Sequence, residues 1–228
     1  MCDVSRSMQP YAAIYLHLMR ATALRQSGFR PEVFAFSTEL TRLTPVLAHR
    51  SPEVALARAN AKVVDRYGGT HLGRSIHELL APPHGSALRG AVAVVASDGW
   101  DSDPPEVLDN ALGRLKRRAA HLVWLNPRAA APGFQPLAGS MAVALPYCDV
   151  FLPAHSLAGL RDLFDALVML LSARRFFAVA QEHQLPQLLR DSRLRQANVT
   201  NALAEQVLDA LQILLRGFQA AADRDGDA

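Results

Sequence analysis

The chain has 228 residues, of which half are hydrophobic and 20% are charged, and its formal net charge at pH 7 is +3. This balance is typical of a globular protein with one substantial core. The basic residues are nearly all arginine and are spread along the chain, which indicates a solvated surface and argues against a nucleic-acid partner. Two cysteines without C-x-x-C spacing exclude a disulfide scaffold and a zinc site, and no apolar run is long enough to span a membrane. We therefore expect a cytoplasmic protein with reduced thiols.

Strand and helix patterns alternate along most of the chain. In the first half we predict a helix at 10–26, a strand at 33–37, a short antiparallel edge strand at 40–44, and helices at 53–65 and 72–80. A strand at 91–96, buried on both faces, is followed by a helix at 105–118 and a strand at 121–125. A weak helix at 137–145, a strand at 149–152 and an amphipathic helix at 157–171 complete this part of the chain. Such alternation predicts an α/β fold with a mostly parallel sheet and helices on both sides.

Beyond residue 171 the pattern becomes helical only. A segment at 176–190 is interrupted near Pro186, and apolar residues then recur every fourth position at Val199, Leu203, Val207, Leu211 and Leu215. We predict an α/β domain over residues 1–171 and a helical C-terminal extension over 172–228, whose apolar face packs on the same chain or on another subunit.

Oxygen-bearing side chains alternate at the start of the chain, where Asp3, Ser5 and Ser7 form a D-x-S-x-S pattern. Thr70 follows a double glycine, and Asp98 follows the apolar strand at 91–96, at the edge where open α/β sheets bind ligands. Together these residues would form an oxygen-only cage, which suits Mg²⁺, or Mn²⁺ or Ca²⁺, better than a soft metal. The D-x-S-x-S spacing alone is equally compatible with a turn or capping cluster.

The sequence segments around these residues resemble a known family. The segments DVSRSM, VFAFSTELTRLTPVL, GGTHLG, VVASDGWD, WLNP and ALPYCDVFLPAHSL are similar, in that order, to the CoxE-like branch of the von Willebrand factor A (VWA) domains. The resemblance implies a Rossmann-like three-layer α/β/α fold and a metal-ion-dependent adhesion site (MIDAS) formed by Asp3, Ser5, Ser7, Thr70 and Asp98. In such a site the hydroxyls are neutral ligands, and the aspartates often act through water.

The resemblance also implies a function. A metal held mainly by neutral oxygens keeps an open position, which an acidic side chain of a protein partner completes. CoxE-like proteins are associated with a MoxR-type AAA+ ATPase and with maturation of the metal cluster of a client enzyme, carbon monoxide dehydrogenase, which is a molybdenum hydroxylase. The expected function is therefore that of a non-enzymatic adaptor or maturation chaperone.

Residues near the predicted site have less specific roles. Asp101 and His71 are candidates for the rim or second shell of the metal site, although solvated acids and a surface or packed histidine are the simpler interpretation for Asp101, Asp103 and His71. Cys148 and His155 suggest a thiol nucleophile only if the fold brings them together. The sequence contains no phosphate-binding loop, nucleophile elbow or zinc-protease helix.

The start of the chain is short for this family. Only Met1 and Cys2 precede Asp3, where the resemblance implies a buried central strand, so we expect an N-terminal truncation relative to the family. This short start motivates one alternative to the adaptor, a truncated, non-functional paralogue. A metal-dependent hydrolase is a second alternative.

Overall fold

The computed structural model describes residues 1–24, 30–63, 69–136 and 139–182. The chain divides into two compact units, Met1–Gly159 and Leu160–Ala228, and the described part of the second unit is residues 160–182. Within the described ranges, no helix is both long enough and apolar enough to cross a membrane. The domain division that the sequence suggests at residue 171 stays a prediction.

The described strands form a six-stranded sheet. They are β1 (Cys2–Asp3), β2 (Phe34–Phe36), β3 (Leu40–Arg42), β4 (Val92–Ala96), β5 (His121–Leu125) and β6 (Val150–Leu152). Their order across the sheet is β3-β2-β1-β4-β5-β6, and all neighbours are parallel except β2 and β3. This confirms the mostly parallel sheet with one antiparallel edge strand that the sequence predicts.

Helices follow the strands in the order expected for a Rossmann-like fold. They are α1 (Gln9–Ala23), α2 (Thr44–Leu47), α3 (Pro52–Lys62), α4 (Leu72–Leu80), α5 (Pro105–Arg118), α6 (Ser140–Ala144) and α7 (Leu157–Glu182). In α1, α2, α3 and α5 a proline lies in the first turn, where its missing N–H costs no hydrogen bond. The connections from β1 to β2 and from β4 to β5 run in opposite directions across the sheet. Because crossovers between parallel strands are nearly always right-handed, we expect α1 and α5 to cover opposite faces.

The main core cluster fills the space between the sheet and helices α4, α5 and α6. Its largest fully buried members include Phe36, Leu72, Ile76, Leu108, Leu112, Leu115 and Trp124. The indole Nε1 of Trp124 donates a hydrogen bond to the Ser97 carbonyl at 3.0 Å, so this buried side chain has no unpaired polar atom. That bond also fixes the chain just after β4, where the predicted site begins.

Strand β1 is central but contains only two residues. Cys2 pairs with Ala35 of β2 and with Ala96 of β4, and Asp3 pairs with Phe36. The order of the strands reverses between β1 and β4, and the crevice of an open α/β sheet lies at such a switch point. Asp3 ends β1, and Asp98 follows β4 by two residues, so the fold brings both aspartates to this crevice.

The burial of β4 differs from the sequence prediction. Val95 and Ala96 are buried, but residues 92–94 are only half-buried. The reason is that β1 pairs with β4 only at Ala96, so the earlier residues of β4 have no β1 neighbour along that edge.

Helix α7 begins at the predicted position and extends beyond residue 171 to Glu182. The remainder of the predicted 176–190 segment, and the apolar repeat from Val199 to Leu215, lie outside the described residues.

Candidate metal centre

The three residues of the D-x-S-x-S pattern lie together at the end of β1. The Asp3 Oδ1 atom accepts a hydrogen bond from the Ser5 backbone N–H at 2.8 Å, and this closes a turn around the carboxylate. Ser5 then leads into a short 3₁₀ turn, Arg6–Met8, which returns Ser7 toward Ser5. The two serine hydroxyl oxygens are 3.2 Å apart. The local backbone therefore gathers one carboxylate and two hydroxyls.

Asp3 is fully buried. Its second oxygen, Oδ2, accepts a hydrogen bond from the Ser97 hydroxyl at 2.8 Å. Burial raises the pKa of Asp3 to about 6; repulsion from Asp98 adds to this rise, and the hydrogen bonds from Ser5 and Ser97 oppose it. The ionised carboxylate is therefore costly in the metal-free protein, and a nearby cation would remove that cost.

Asp98 is the second buried carboxylate of the crevice, with 5% of the residue exposed. Its Oδ1 accepts a hydrogen bond from the Trp100 backbone N–H at 3.3 Å. Its Oδ2 has no hydrogen-bond partner, and the guanidinium Nη1 of Arg128 lies 3.6 Å from it, beyond hydrogen-bonding distance. A buried carboxylate oxygen without a hydrogen bond is uncommon in native proteins and points to a missing ligand.

Thr70 reaches the same edge of the sheet through backbone contacts. The next residue, His71, donates its N–H to the carbonyl of Ser37, which directly follows β2. The Thr70 carbonyl accepts a hydrogen bond from Ser102 N–H at 2.8 Å. Thr70 is buried, and it lies where the end of β2 meets the loop that follows β4. The structure thus gathers Asp3, Ser5, Ser7 and Asp98 around the β1/β4 crevice and connects Thr70 to the Asp98 loop.

The acids that follow Asp98 stabilise helix α4 and its connection to this loop. Asp101 accepts hydrogen bonds from the N–H groups of Leu72 and Gly73, both at 3.2 Å, so it caps a helix that begins 29 residues earlier. Asp103 contacts His71 Nδ1 at 3.0 Å and the Arg74 guanidinium at 2.9 Å. The interpretation as a solvated acid is wrong for Asp103, whose side chain is 2% exposed.

His71, Asp101 and Asp103 each place one ligand-type atom within 4.8 Å of the others. Nitrogen and carboxylate donors of this kind suit a transition metal better than Mg²⁺. However, Arg74 already supplies a positive charge to Asp103, and backbone N–H groups already bind both oxygens of Asp101. The Asp103 Oδ2 atom has no hydrogen bond in the described part of the chain. The network connects the segment that carries Thr70 to the loop that carries Asp98.

Sequence reasoning missed two residues that shape the crevice. Asn126 is fully buried; its Nδ2 donates to the Asp98 carbonyl at 3.1 Å, and its Oδ1 accepts from Arg128 N–H at 2.9 Å. Ser97 binds Asp3 Oδ2, as described above. The signal for Asn126 was its position directly after β5, which is the position that Ser97 has after β4, but the sequence alone presented Asn126 as a strand terminator.

Comparison with protein families identifies the fold. The family model for VWA domain containing CoxE-like proteins matches residues 1–160, which is more than half of the chain. The chain belongs to this CoxE-like VWA family. Among curated proteins, the search finds no match. Membership supports the general role of a VWA adaptor in protein interaction, and VWA domains commonly bind a divalent metal.

The residues of this CoxE-like chain fit such a metal. The crevice offers hydroxyl and carboxylate oxygens and no thiol or imidazole among the five predicted ligands, Asp3, Ser5, Ser7, Thr70 and Asp98. Two buried carboxylates lie close enough to repel each other, and one of their oxygens has no hydrogen bond. Hard oxygen donors with negative charge suit Mg²⁺, Mn²⁺ or Ca²⁺.

The cysteine and histidine near β6 are not arranged for catalysis. Cys148 precedes β6 and His155 follows it, so the two residues lie at opposite ends of the strand. Burial raises the pKa of Cys148 to about 11, and its thiol donates a hydrogen bond to the Ala144 carbonyl at 3.3 Å. A thiol with a raised pKa is a poor nucleophile, because the thiolate is the reactive form.

Proposed function

We propose that this CoxE-like protein is a non-enzymatic adaptor that binds a protein partner through Mg²⁺ held by Asp3, Ser5, Ser7, Thr70 and Asp98. The observation that carries the proposal is the buried Oδ2 of Asp98, which has no hydrogen bond and lies in the same crevice as the buried Asp3 carboxylate. A cation is the best explanation for two buried carboxylates that lie close to each other at a switch point of the sheet.

Each residue of the site has a defined task in this proposal. The Ser5, Ser7 and Thr70 hydroxyls offer neutral oxygens, while Asp3 and Asp98 supply negative charge directly or through water. Because most of the donors are neutral, these residues would leave a Mg²⁺ held there with positive charge, and a carboxylate of the partner could then bind to it. The hydrogen bonds from Ser97 to Asp3 and from Asn126 to the Asp98 carbonyl hold the crevice in place.

The absence of turnover is part of the proposal. It is supported by the raised pKa of Cys148, which disfavours the thiolate, and by the position of His155 at the other end of β6. His71 is held at 3.0 Å from Asp103, so its nearer nitrogen is already engaged in a contact within the protein.

The proposal for the partners rests on the family resemblance alone. We propose that a MoxR-type AAA+ ATPase binds this adaptor, and that the pair acts in maturation or metal-cluster insertion of a client metalloenzyme such as a molybdenum hydroxylase. Co-purification of the adaptor with a MoxR-type ATPase in Mg²⁺, and its loss in chelator, would support this part. Equal co-purification in both conditions would contradict it.

The test of the metal site is a thermal melt of the full chain in Mg²⁺ and in chelator. At about 100 times its dissociation constant, a ligand that binds only the folded state adds about 2.7 kcal/mol, which shifts the Tm of a chain of this size by several degrees. We expect Mg²⁺ to raise the Tm of the wild type and of Asp162→Ala, which removes an exposed acid from α7. Asp3→Ala should show no Mg²⁺ response. An equal response in Asp3→Ala would overturn the assignment.

A further inference from the structure

The outer rim of the crevice differs in character from its interior. Asp3 and Asp98 are buried within the crevice, whereas two arginines and a tryptophan next to them reach solvent. Arg6 lies between Ser5 and Ser7 and is exposed. Arg128 has 52% of its side chain exposed, and Trp100 is 68% exposed. These side chains offer a partner positive charge and an indole ring beside the buried acids.

Trp100 and Arg128 contact the two oxygens of the same carboxylate. The Trp100 backbone N–H binds Asp98 Oδ1, and the Arg128 guanidinium lies 3.6 Å from Asp98 Oδ2. Both residues therefore lie next to Asp98, beside the position proposed for the metal. The described part of the chain has three exposed large hydrophobic residues, Val54, Trp100 and Met169, and Trp100 is the most exposed of them.

The Asn126 side chain and a turn at Gly99 hold the segments that carry the two rim residues. Asn126 binds the Asp98 carbonyl and the Arg128 N–H with one buried side chain, so the loops after β4 and β5 are joined directly. Gly99 has a φ of +84°, and a Cβ at this position would lie 2.3 Å from Met141 Sδ. The turn that presents Trp100 therefore requires glycine and packs against the core. Rigid loops lose little entropy on binding, which suits a recognition surface.

From these observations we propose that Trp100 and Arg128, with Arg6, select a partner segment that carries more than one acidic residue next to an aromatic or aliphatic residue. This inference rests on the proposed function, because one acid of the segment completes the metal site. A second acid pairs with Arg128, whose guanidinium has five N–H donors and makes no side-chain hydrogen bond to the part of the chain that is described. The apolar residue packs against the exposed indole, since exposed tryptophan and arginine at the centre of a binding site carry much of the affinity.

The test is selection of peptides from a random library displayed on phage against the full 228-residue chain in Mg²⁺. We expect the selected peptides to be enriched in Asp or Glu beside an apolar residue and to lose binding in chelator. The best peptide, made synthetically, should bind Arg128→Ala and Trp100→Ala about five- to tenfold more weakly than the wild type. Trp100→Phe should restore most of the affinity, because it keeps an aromatic face.

Arg117→Ala is the matched control for the loss of one exposed arginine. Arg117 lies in the last turn of α5, at the sheet edge opposite the crevice, so its loss should leave the affinity unchanged. Arg128→Glu should reduce the association rate further, and added salt should shrink that difference.

The outcomes separate this inference from the proposed function. Mg²⁺-dependent peptide binding that is insensitive to Arg128→Ala and Trp100→Ala would overturn the rim proposal and leave the metal site intact. Binding that persists in chelator but needs both rim residues would support the rim and contradict the metal-dependent function. Selection of peptides without acidic enrichment, or equal competition by a random single-stranded oligonucleotide, would overturn the proposed partner class.

Discussion

The two aspartates of the crevice have different environments although they lie close together. Asp3 accepts hydrogen bonds at both oxygens, from Ser5 N–H and from the Ser97 hydroxyl. Asp98 has one hydrogen-bonded oxygen and one without a bond. Because Asp3 is buried in the metal-free protein, its ionisation opposes folding, and this cost can be measured.

Replacement of Asp3 by Asn should stabilise the metal-free protein above about pH 6. The pKa of Asp3 is raised from an ordinary 3.8 to about 6 in the folded state. The stabilisation by protonated Asp3 is therefore fully present below pH 3.8 and is lost as the pH rises through 6. The neutral amide avoids this loss. At about pH 8 in chelator we expect Asp3→Asn to exceed the wild type by about 1–3 kcal/mol in urea unfolding. In Mg²⁺ the order should reverse.

The control for a general charge effect is Asp162→Asn, on the exposed face of α7. It should leave the pH dependence of the wild type unchanged. An Asp3→Asn variant that is less stable than the wild type at every pH in chelator would show that the carboxylate has a structural role and that its burial is already compensated.

At the scale of elements, the approach of α4 to α5 determines where Thr70 lies. Thr70 immediately precedes the start of α4, and Asp101 caps that start from the loop after β4. Gly73, in the first turn of α4, lies against the backbone of α5: a Cβ at this position would be 2.8 Å from the Leu108 nitrogen. Backbone atoms cannot move aside as a flexible side chain can, so only glycine fits at this distance.

Gly73→Ala and Gly113→Ala should therefore have opposite effects. Both glycines lie inside helices, where alanine is favoured by about 0.5–1 kcal/mol. At Gly113 the nearest atom to a new Cβ is 3.7 Å away, so Gly113→Ala should gain most of that amount. Gly73→Ala should lose about 1–3 kcal/mol by forcing α4 away from α5, and it should also weaken Mg²⁺ binding through the displaced Thr70. Urea unfolding of both variants, with Mg²⁺ titrations, gives the comparison.

Destabilisation by Gly113→Ala would contradict the open space around that residue. An unchanged stability and Mg²⁺ affinity in Gly73→Ala would show that the contact between α4 and α5 can relax and that it does not position Thr70.

At the scale of the whole molecule, β1 joins the two halves of the described sheet. It alone pairs with both β2 and β4, and it does so with two residues, Cys2 and Asp3. The same short strand carries the first residue of the proposed metal site. Metal binding and sheet integrity are therefore expected to depend on each other, because separation of β1 would remove Asp3 from the crevice.

The Cys2 thiol should report this dependence. Cys2 is 2% exposed, and the chain contains one other cysteine, Cys148. In a Cys148→Ser background, alkylation of Cys2 requires β1 to open. We expect Mg²⁺ at about 100 times its dissociation constant to slow this reaction by about 100-fold, because opening then requires release of the metal. Mass spectrometry of alkylation time courses measures the rate.

The matched control is the same experiment in the Asp3→Ala variant, where Mg²⁺ should have no effect on the rate. A wild-type rate that is the same in Mg²⁺ and in chelator would contradict the coupling of β1 to the metal site. A rate equal to that of an unstructured cysteine peptide in both conditions would show that β1 does not protect Cys2 at all.

Local sequence patterns predicted much of the order of strands and helices. Proline positions predicted the starts of α1, α3 and α5, and the apolar run before Asp98 predicted β4. The antiparallel pairing of Leu40–Arg42 was also predicted and is confirmed. These features depend on interactions between near neighbours in the sequence, such as the missing N–H of proline and the alternation of apolar side chains.

The candidate site was only partly predictable. Asp3, Ser5, Ser7, Thr70 and Asp98 were identified through the family pattern, and the metal that they are predicted to hold stays a prediction. Asn126 and Arg128 were missed because their roles depend on contacts with a residue 28 or 30 positions earlier in the chain. No local pattern distinguishes an asparagine that ends a strand from one that also binds a neighbouring loop.

The sequence by itself determined the alternation of strands and helices, the family and the chemical type of the candidate ligands, since these follow from residue identity and short spacing. The tertiary structure alone decided that Asp103 is buried against His71 and Arg74, and that Asp98 keeps an oxygen without a hydrogen bond. It also decided that Trp100 and Arg128 face solvent beside that carboxylate. The physical reason is that burial and unsatisfied hydrogen bonds depend on segments distant in sequence, which meet only when the sheet brings the ends of β1, β4 and β5 to one edge.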